Sequence, residues 1–109
     1  LMALGAADAV SAAGRTGQVA IIGMDGITEA LDAIRSGEMS ATVSQYPYVM
    51  GRMAVEACLA AARGDVLPSR VDAPVAVVTR ANVARASTLF PRPFRTYSDP
   101  FARLLRRQP

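Results

Sequence analysis

The sequence contains no histidine and no tryptophan, all 12 of its basic residues are arginine, and Cys58 is its single cysteine. Without histidine, the chain can hold neither a histidine-based catalytic triad nor a zinc site of the cysteine and histidine type. A single cysteine cannot form an internal disulfide, and in the helical context "AVEACLAAA" we expect Cys58 to be a small buried residue. No apolar run approaches the ~20 residues of a membrane-spanning helix. These absences lead us to expect no metal and no cofactor.

The net charge of +3 is unevenly distributed along the chain. Residues 1–91 carry seven arginines against eight acidic residues, a balance of −1, whereas residues 92–109 have a balance of +4. The basic residues of this tail, which is punctuated by prolines, are Arg92, Arg95, Arg103, Arg106 and Arg107. A nucleic-acid-binding surface normally places its basic residues on the folded face that docks. We therefore interpret the tail as a solvated C-terminal extension and expect no nucleic-acid partner.

Length and composition predict at most one globular domain, since the chain has 109 residues, of which 51% are hydrophobic and 19% charged. Helical and strand patterns then alternate over the first 80 residues. The predicted elements are, in order, a helix over residues 2–13, a strand Val19–Met24, a helix from Thr28 to Gly37, a strand Ala41–Ser44, a helix Pro47–Arg63 and a strand Pro74–Thr79. This order favours an α/β fold with parallel strands and right-handed crossovers. The run Val19–Met24 is apolar throughout, which is typical of a strand buried on both faces.

Two of the predicted strands are each followed by a polar side chain. Asp25 follows the first strand and Gln45 the second. Because ligands of open parallel sheets bind beyond the carboxyl ends of the strands, both side chains are expected at one edge, within reach of one small molecule. A carboxylate accepts hydrogen bonds from two hydroxyl groups, an amide both donates and accepts, and Met24 could supply an apolar wall. The alternative is that Asp25 belongs to an ordinary Asp-Gly turn and caps the next helix.

Three stretches taken in order resemble the C-terminal portion of the periplasmic sugar-binding proteins of ABC transporters, of the ribose- and galactose-binding type. These stretches are "MALGAADAVSAAG", "VAIIGMDGITEALDAIRSGEMSATVSQYP" and "MGRMAVEACLAAARGD". The resemblance implies a Rossmann-like lobe of a two-lobed type I periplasmic-binding-protein fold, closing on a sugar. It makes Asp25 and Gln45 ligand contacts, and it puts Met24 where the family often has an aromatic platform. Tyr46 and Tyr48 are neighbours of this site for which packing is the expected role.

The resemblance also implies how the chain is organised and what the protein does. Residues 1–80 would form part of a C-terminal lobe, with the helix at 47–63 crossing to the other lobe, and residues 81–109 an arginine- and proline-rich extension. The function implied is that of the solute-binding component of an ABC sugar importer. Its partners would be a monosaccharide or related polyol, the transporter permease and the remainder of its own polypeptide. The expected location is the periplasm or another extracytoplasmic site, with a lipoprotein anchor as one option for the full-length form. We expect no catalysis, and negligible sugar affinity from these residues alone.

Three other interpretations remain open at this level. The effector domain of lac-repressor-type transcription regulators has the same fold, but it usually carries Pro-Leu-Thr-Thr-Val-x-Gln where this chain has "MSATVSQYP". An enzyme on a Rossmann-like lobe is a second possibility, although no Gly-x-Gly-x-x-Gly loop and no nucleophile with an adjacent base are visible. A small interaction module with a basic tail that binds an acidic or membrane partner is the third.

Overall fold

The computed structural model describes residues 1–106, so that Arg107 of the basic tail lies outside the described residues. Helices and strands alternate in the predicted order, and two short helices follow the last strand. The elements are α1 (Met2–Ala12), β1 (Ile22–Asp25), α2 (Thr28–Ser36), β2 (Ala41–Gln45), α3 (Pro47–Ala62), β3 (Val75–Thr79), α4 (Val83–Leu89) and α5 (Pro100–Arg106). The predicted first strand therefore begins three residues too early, while the second and third agree with the structure to within one residue.

The three strands form one sheet in the order β1-β2-β3. β1 and β2 are parallel, with Ile22 opposite Ala41 and Asp25 opposite Ser44, which confirms the predicted parallel pair joined through a helix. β3 runs antiparallel to β2, with Val75 opposite Gln45, so the prediction of an all-parallel sheet is wrong for this strand. The reason is that α3 does not cross the sheet: residues 63–74 bring the chain back to the edge from which it left, and β3 begins beside Gln45.

One face of the sheet is covered by α1, α2 and α4. The periodic apolar residues of α2 face the core, since Ala30, Leu31 and Ile34 are all buried. The helix ends where predicted, at Gly37, whose left-handed conformation (φ 93°) favours glycine. It also begins where predicted, at Thr28, with Ile27 in the N-cap position.

The opposite face of the sheet is apolar and exposed. Ile22, Met24, Val75 and Val77 are 67%, 61%, 60% and 52% exposed. Strand alternation and the pairing register place these four side chains together, and we refer to them as the open sheet face. The prediction that the first strand is buried on both faces is therefore wrong within the described residues, because the elements of this chain cover only one side.

Residues 92–106 of the basic tail are packed, contrary to the prediction of a solvated extension. Phe94 and Phe101 are buried in the core cluster, and α5 lies against α3. The tail carries apolar side chains between its arginines, and it is these that dock, while the described arginines of the tail stay exposed. Cys58 on α3 is exposed instead of buried, because the inner side of that helix is formed by Val49 and Met53.

The described residues form an elongated body. Its extents are 63 × 22 × 16 Å and its radius of gyration is 17.9 Å, whereas a compact domain of similar length has a radius of about 13 Å. None of the helices within residues 1–106 is both long enough and apolar enough to cross a membrane.

Candidate functional site

The turn that follows β1 is held in an unusual backbone conformation. Asp25 has a φ of 88°, in a region that residues other than glycine rarely adopt, although aspartate tolerates it better than most. Gly26 has a φ of 66° and lies directly against β2, where an added Cβ would be 2.8 Å from the Ser44 Cα. Only glycine fits so close to the neighbouring strand. This close approach fixes Asp25 beside the carboxyl end of β2.

Gln45 is the last residue of β2 and is partly buried. Since β1 and β2 are adjacent and parallel, Asp25 and Gln45 end neighbouring strands at the same edge of the sheet, as predicted. Neighbouring strands lie about 4.8 Å apart. The structure therefore places the two predicted residues at one edge of the sheet.

Both residues line one cavity of about 280 Å³. The cavity lies beyond the strand ends, between the β1–α2 turn, the start of α3 and the chain after α4. Its other lining residues are mostly apolar: Gly26, Ile27, Pro47, Tyr48, Met50, Phe90 and Pro91. Two polar groups at one side of an otherwise apolar cavity are typical of sites for small molecules, in which a few polar groups fix orientation.

The alternative interpretation of Asp25 as a helix cap is not supported. α2 has Ile27 at its N-cap position, and no side chain makes a capping hydrogen bond there. The Asp25 side chain is exposed at the mouth of the cavity. Asp25 therefore does not cap α2, although it does begin the Asp-Gly connection from β1 to α2 that the alternative also predicted.

The structure does not place Met24 in the cavity. Met24 pairs with Val43 on the open sheet face, one pair back from the strand ends, and it is not among the described residues that line the cavity. Of the two tyrosines predicted to pack, Tyr46 is buried at 4% exposure, whereas Tyr48 is 60% exposed and lines the cavity. The predicted packing role is therefore confirmed for Tyr46 alone.

Phe90 and Pro91 are cavity residues that sequence reasoning missed, since they fall in residues 81–109, which were expected to be an arginine- and proline-rich extension. They reach the cavity because α4 runs back along the sheet after a tight turn at Asn82. The Asn82 side chain accepts a hydrogen bond from the Thr79 amide (2.9 Å) and donates one to the Val77 carbonyl (3.1 Å). An asparagine three residues after a strand end was the signal for this reversal.

Within residues 1–106, no group of three or more acidic or cysteine side chains is placed to hold a metal ion. The chemistry of the cavity is that of a carboxylate acceptor and an amide donor and acceptor beside apolar walls. This combination suits a neutral molecule with several hydroxyl groups on a carbon skeleton.

Comparison with known proteins gives the family. The model of the periplasmic binding protein domain matches residues 1–65. The chain is also 43% identical over 68 residues to the D-allose-binding periplasmic protein of Escherichia coli strain K12, an alignment that covers 62% of this chain and 22% of that protein. The chain therefore belongs to the periplasmic binding protein family, which confirms the resemblance found in its sequence.

Solved structures agree with this assignment. An ABC transporter periplasmic solute-binding protein from Actinobacillus succinogenes 130z, with bound D-allose, has a TM-score of 0.73 at 32% identity and covers 77% of this chain and 29% of its own. The likeness confirms the predicted α/β lobe of a type I periplasmic-binding-protein fold. This structure and the E. coli relative are named as binding proteins and not as enzymes.

The similarity to a further solved structure extends over the C-terminal helices of this chain. The twin-arginine translocation pathway signal protein from Burkholderia phytofirmans has a TM-score of 0.72 at 31% identity, and it covers 95% of this chain and 33% of its own. The 5% of this chain that is not covered is shorter than either α4 or α5. Residues after β3 therefore fall within the region of this chain that is similar to a solved structure. The chain spans between 22% and 33% of the length of these three relatives.

Proposed function

We propose that this chain supplies one side of the sugar site in the solute-binding component of an ABC importer. The observation that carries the proposal is the position of Asp25 and Gln45, which end adjacent parallel strands and line one cavity. The unusual backbone conformation of Asp25 adds support, because strained residues persist mainly where function requires their geometry.

The proposed recognition is direct. The Asp25 carboxylate accepts hydrogen bonds from two sugar hydroxyl groups, and the Gln45 amide donates to one hydroxyl oxygen and accepts from another. Hydrogen bonds to an ionised acceptor are stronger than those between neutral groups, so Asp25 contributes most of the polar affinity. The apolar lining packs against the carbon-bound hydrogens of the sugar.

The remainder of the polypeptide completes the site in this proposal. Two apolar surfaces are unpartnered within residues 1–106: the open sheet face, and the outer side of α3 with Val55 (61% exposed) and Leu59 (49% exposed). Apolar patches of this kind normally mark an interface. The three relatives are at least three times as long as the matched region. Residues 1–80 then form part of one lobe, α3 crosses to the other, and the segment after residue 80 packs on the outside.

Membership of the family supports the proposed partners and location. In the proposal, closure of the two lobes around a monosaccharide or related polyol is the state that the transporter permease recognises. The protein binds and releases its sugar without chemical change, in the periplasm or another extracytoplasmic compartment.

Titration calorimetry on the full-length protein tests the proposal, with D-allose, D-ribose and myo-inositol as probes. We expect at least one of them to bind, and Asp25→Ala to weaken that binding by about 3 kcal/mol, since more than one charge-assisted hydrogen bond is lost. Asp32→Ala is the matched control, because Asp32 is an exposed carboxylate paired with Arg35 on the outer surface of α2. Absence of binding to all three probes, or a loss at Asp25 below ~1 kcal/mol, would contradict the proposal.

A further inference from the structure

Phe90 is an exposed aromatic residue held between two anchored segments. On its N-terminal side, Val83 and Ala86 of α4 are buried, and Arg35 of α2 donates a hydrogen bond to Ser87 at 2.9 Å. On its C-terminal side, Phe94 is buried in the core cluster. The backbone around Phe90 is therefore fixed, while its own side chain remains 44% exposed.

The position of Phe90, rather than its exposure, distinguishes it from most other exposed apolar residues. A single exposed apolar side chain is common and needs no explanation by itself. Phe90 differs because it lines the same cavity as Asp25 and Gln45. Phe90 thus borders the same space as the two polar residues, where one ligand can meet both polar and apolar groups.

From this position we infer that Phe90 is a specificity-determining residue of the sugar site and favours cyclic sugars over open-chain polyols. The inference rests on the proposed function. In this inference Phe90, which follows β3 and α4, forms the apolar wall of the site that the sequence analysis expected from Met24.

The preference follows from the shape and charge of an aromatic ring. The face of the ring carries partial negative charge, and it attracts carbon-bound hydrogens, which carry partial positive charge. A pyranose or an inositol ring presents several such hydrogens on one side, in a nearly flat array. An open-chain polyol presents fewer in one plane, and it loses more rotational freedom when it is bound. Asp25 and Gln45 bind hydroxyl groups of either kind of ligand, so they do not make this distinction.

Calorimetry on the full-length protein tests the inference with D-allose, D-ribose and myo-inositol as cyclic probes and allitol as the open-chain counterpart of allose. For Phe90→Ala we expect affinity for the cyclic probes that bind to fall about tenfold, and any affinity for allitol to change by less than about twofold. Phe90→Tyr keeps the ring and should stay within about threefold of the wild type. Leu89→Ala is the control, because Leu89 is the preceding residue and does not line the cavity.

A spectroscopic measurement separates contact with the sugar from an effect on folding. The described chain has no tryptophan, so Phe90→Trp adds a reporter at the cavity and Leu89→Trp a matched reporter outside it. We expect a saturating cyclic probe to shift the difference emission spectrum of Phe90→Trp and to leave that of Leu89→Trp unchanged.

The outcomes are distinct for the two proposals. A wild-type protein that binds none of the probes overturns the proposed function and this inference with it. If the wild type binds but Phe90→Ala leaves cyclic affinity unchanged, or weakens cyclic and open-chain binding equally, the inference alone is overturned. Equal losses in Phe90→Ala and Leu89→Ala would also overturn it, because they indicate a general disturbance of α4.

Discussion

Arg52 on α3 and Asp99 at the start of α5 form a salt bridge, with 3.0 Å between the guanidinium Nη2 and the carboxylate Oδ2. The same guanidinium nitrogen donates a hydrogen bond to the Tyr97 hydroxyl at 2.6 Å. Asp99 also accepts a hydrogen bond from the Ala102 amide, which caps the first turn of α5. The two residues therefore attach the C-terminal segment to α3, through an acidic residue, Asp99, of the tail that composition alone predicted to be solvated.

Loss of this attachment should loosen α5 selectively. We expect Arg52→Ala to lower the local stability of residues 97–106 by about 0.5–1 kcal/mol, because Asp99 is largely buried and loses its charged partner. Hydrogen exchange of the α5 amides measures the effect. Arg70→Ala is the control, since the Arg70–Asp72 pair has a similar distance, 2.9 Å, but both side chains are about four-fifths exposed. Equal protection of α5 in both variants would contradict the assignment.

Two carboxyl groups meet at this attachment and respond differently to pH. Burial raises the pKa of Glu56, its hydrogen bond to Asp99 raises it further, and Arg52 and Arg106 oppose the change without reversing it. Burial also acts to raise the pKa of Asp99, but hydrogen bonds from the Ala102 amide, Glu56 and Arg52 outweigh it and lower that pKa below its usual value. The stabilisation from protonated Glu56 is therefore complete below its unfolded-state pKa and is lost as the pH rises through the raised folded-state value.

Glu56→Gln should remove the loss of stability that the wild type shows as the pH rises, because an amide keeps a hydrogen-bond donor toward Asp99 at every pH. We expect the variant to unfold at a higher temperature than the wild type near neutral pH, with the difference shrinking as the pH falls toward the ordinary pKa of glutamate. Thermal unfolding of the full-length protein at a series of pH values measures it. A constant difference between the two curves would show that Glu56 does not titrate differently on folding.

The close approach of Gly26 to Ser44 makes a prediction for the site. A Cβ at position 26 must displace either the turn or the second strand, and its φ of 66° is also unfavourable for alanine. We expect Gly26→Ala to weaken sugar binding more than tenfold and to destabilise the fold by about 1–3 kcal/mol. Gly51→Ala should do neither, since nothing lies within 4 Å of a Cβ at that position. Unchanged binding in Gly26→Ala would mean that the turn does not position Asp25.

A charge introduced on the open sheet face should reveal whether this face is covered in the full-length protein. If the remainder of the polypeptide covers this face, Val77→Asp should destabilise the full-length protein by about 2–4 kcal/mol, because an unpaired charge is then buried. Val66→Asp is the control, as Val66 is 92% exposed in the loop after α3. Denaturant unfolding gives both values. Near-neutral effects for both substitutions would argue that the face is open to solvent in the full-length protein.

The sequence was sufficient for the elements whose patterns are local. The stripe of α2, its end at Gly37, the parallel β1–β2 pair and the shared edge of Asp25 and Gln45 all follow from short-range periodicity and from the rule that strand ends share an edge. The direction of β3 and the packing of α5 do not follow, because they depend on where α3 leads and on contacts between distant segments. Phe90 was missed for the same reason. The arginine and proline content of residues 81–109 predicted an extension, although the apolar residues of this segment determine how it packs.

The most direct test of the account is a crystal structure of the full-length protein with a sugar that it binds. We expect one sugar molecule to contact both residues, with hydroxyl oxygens at about 2.5–3.2 Å from the Asp25 carboxylate and from the Gln45 side-chain amide. A sugar bound elsewhere, or one that contacts neither side chain, would contradict it.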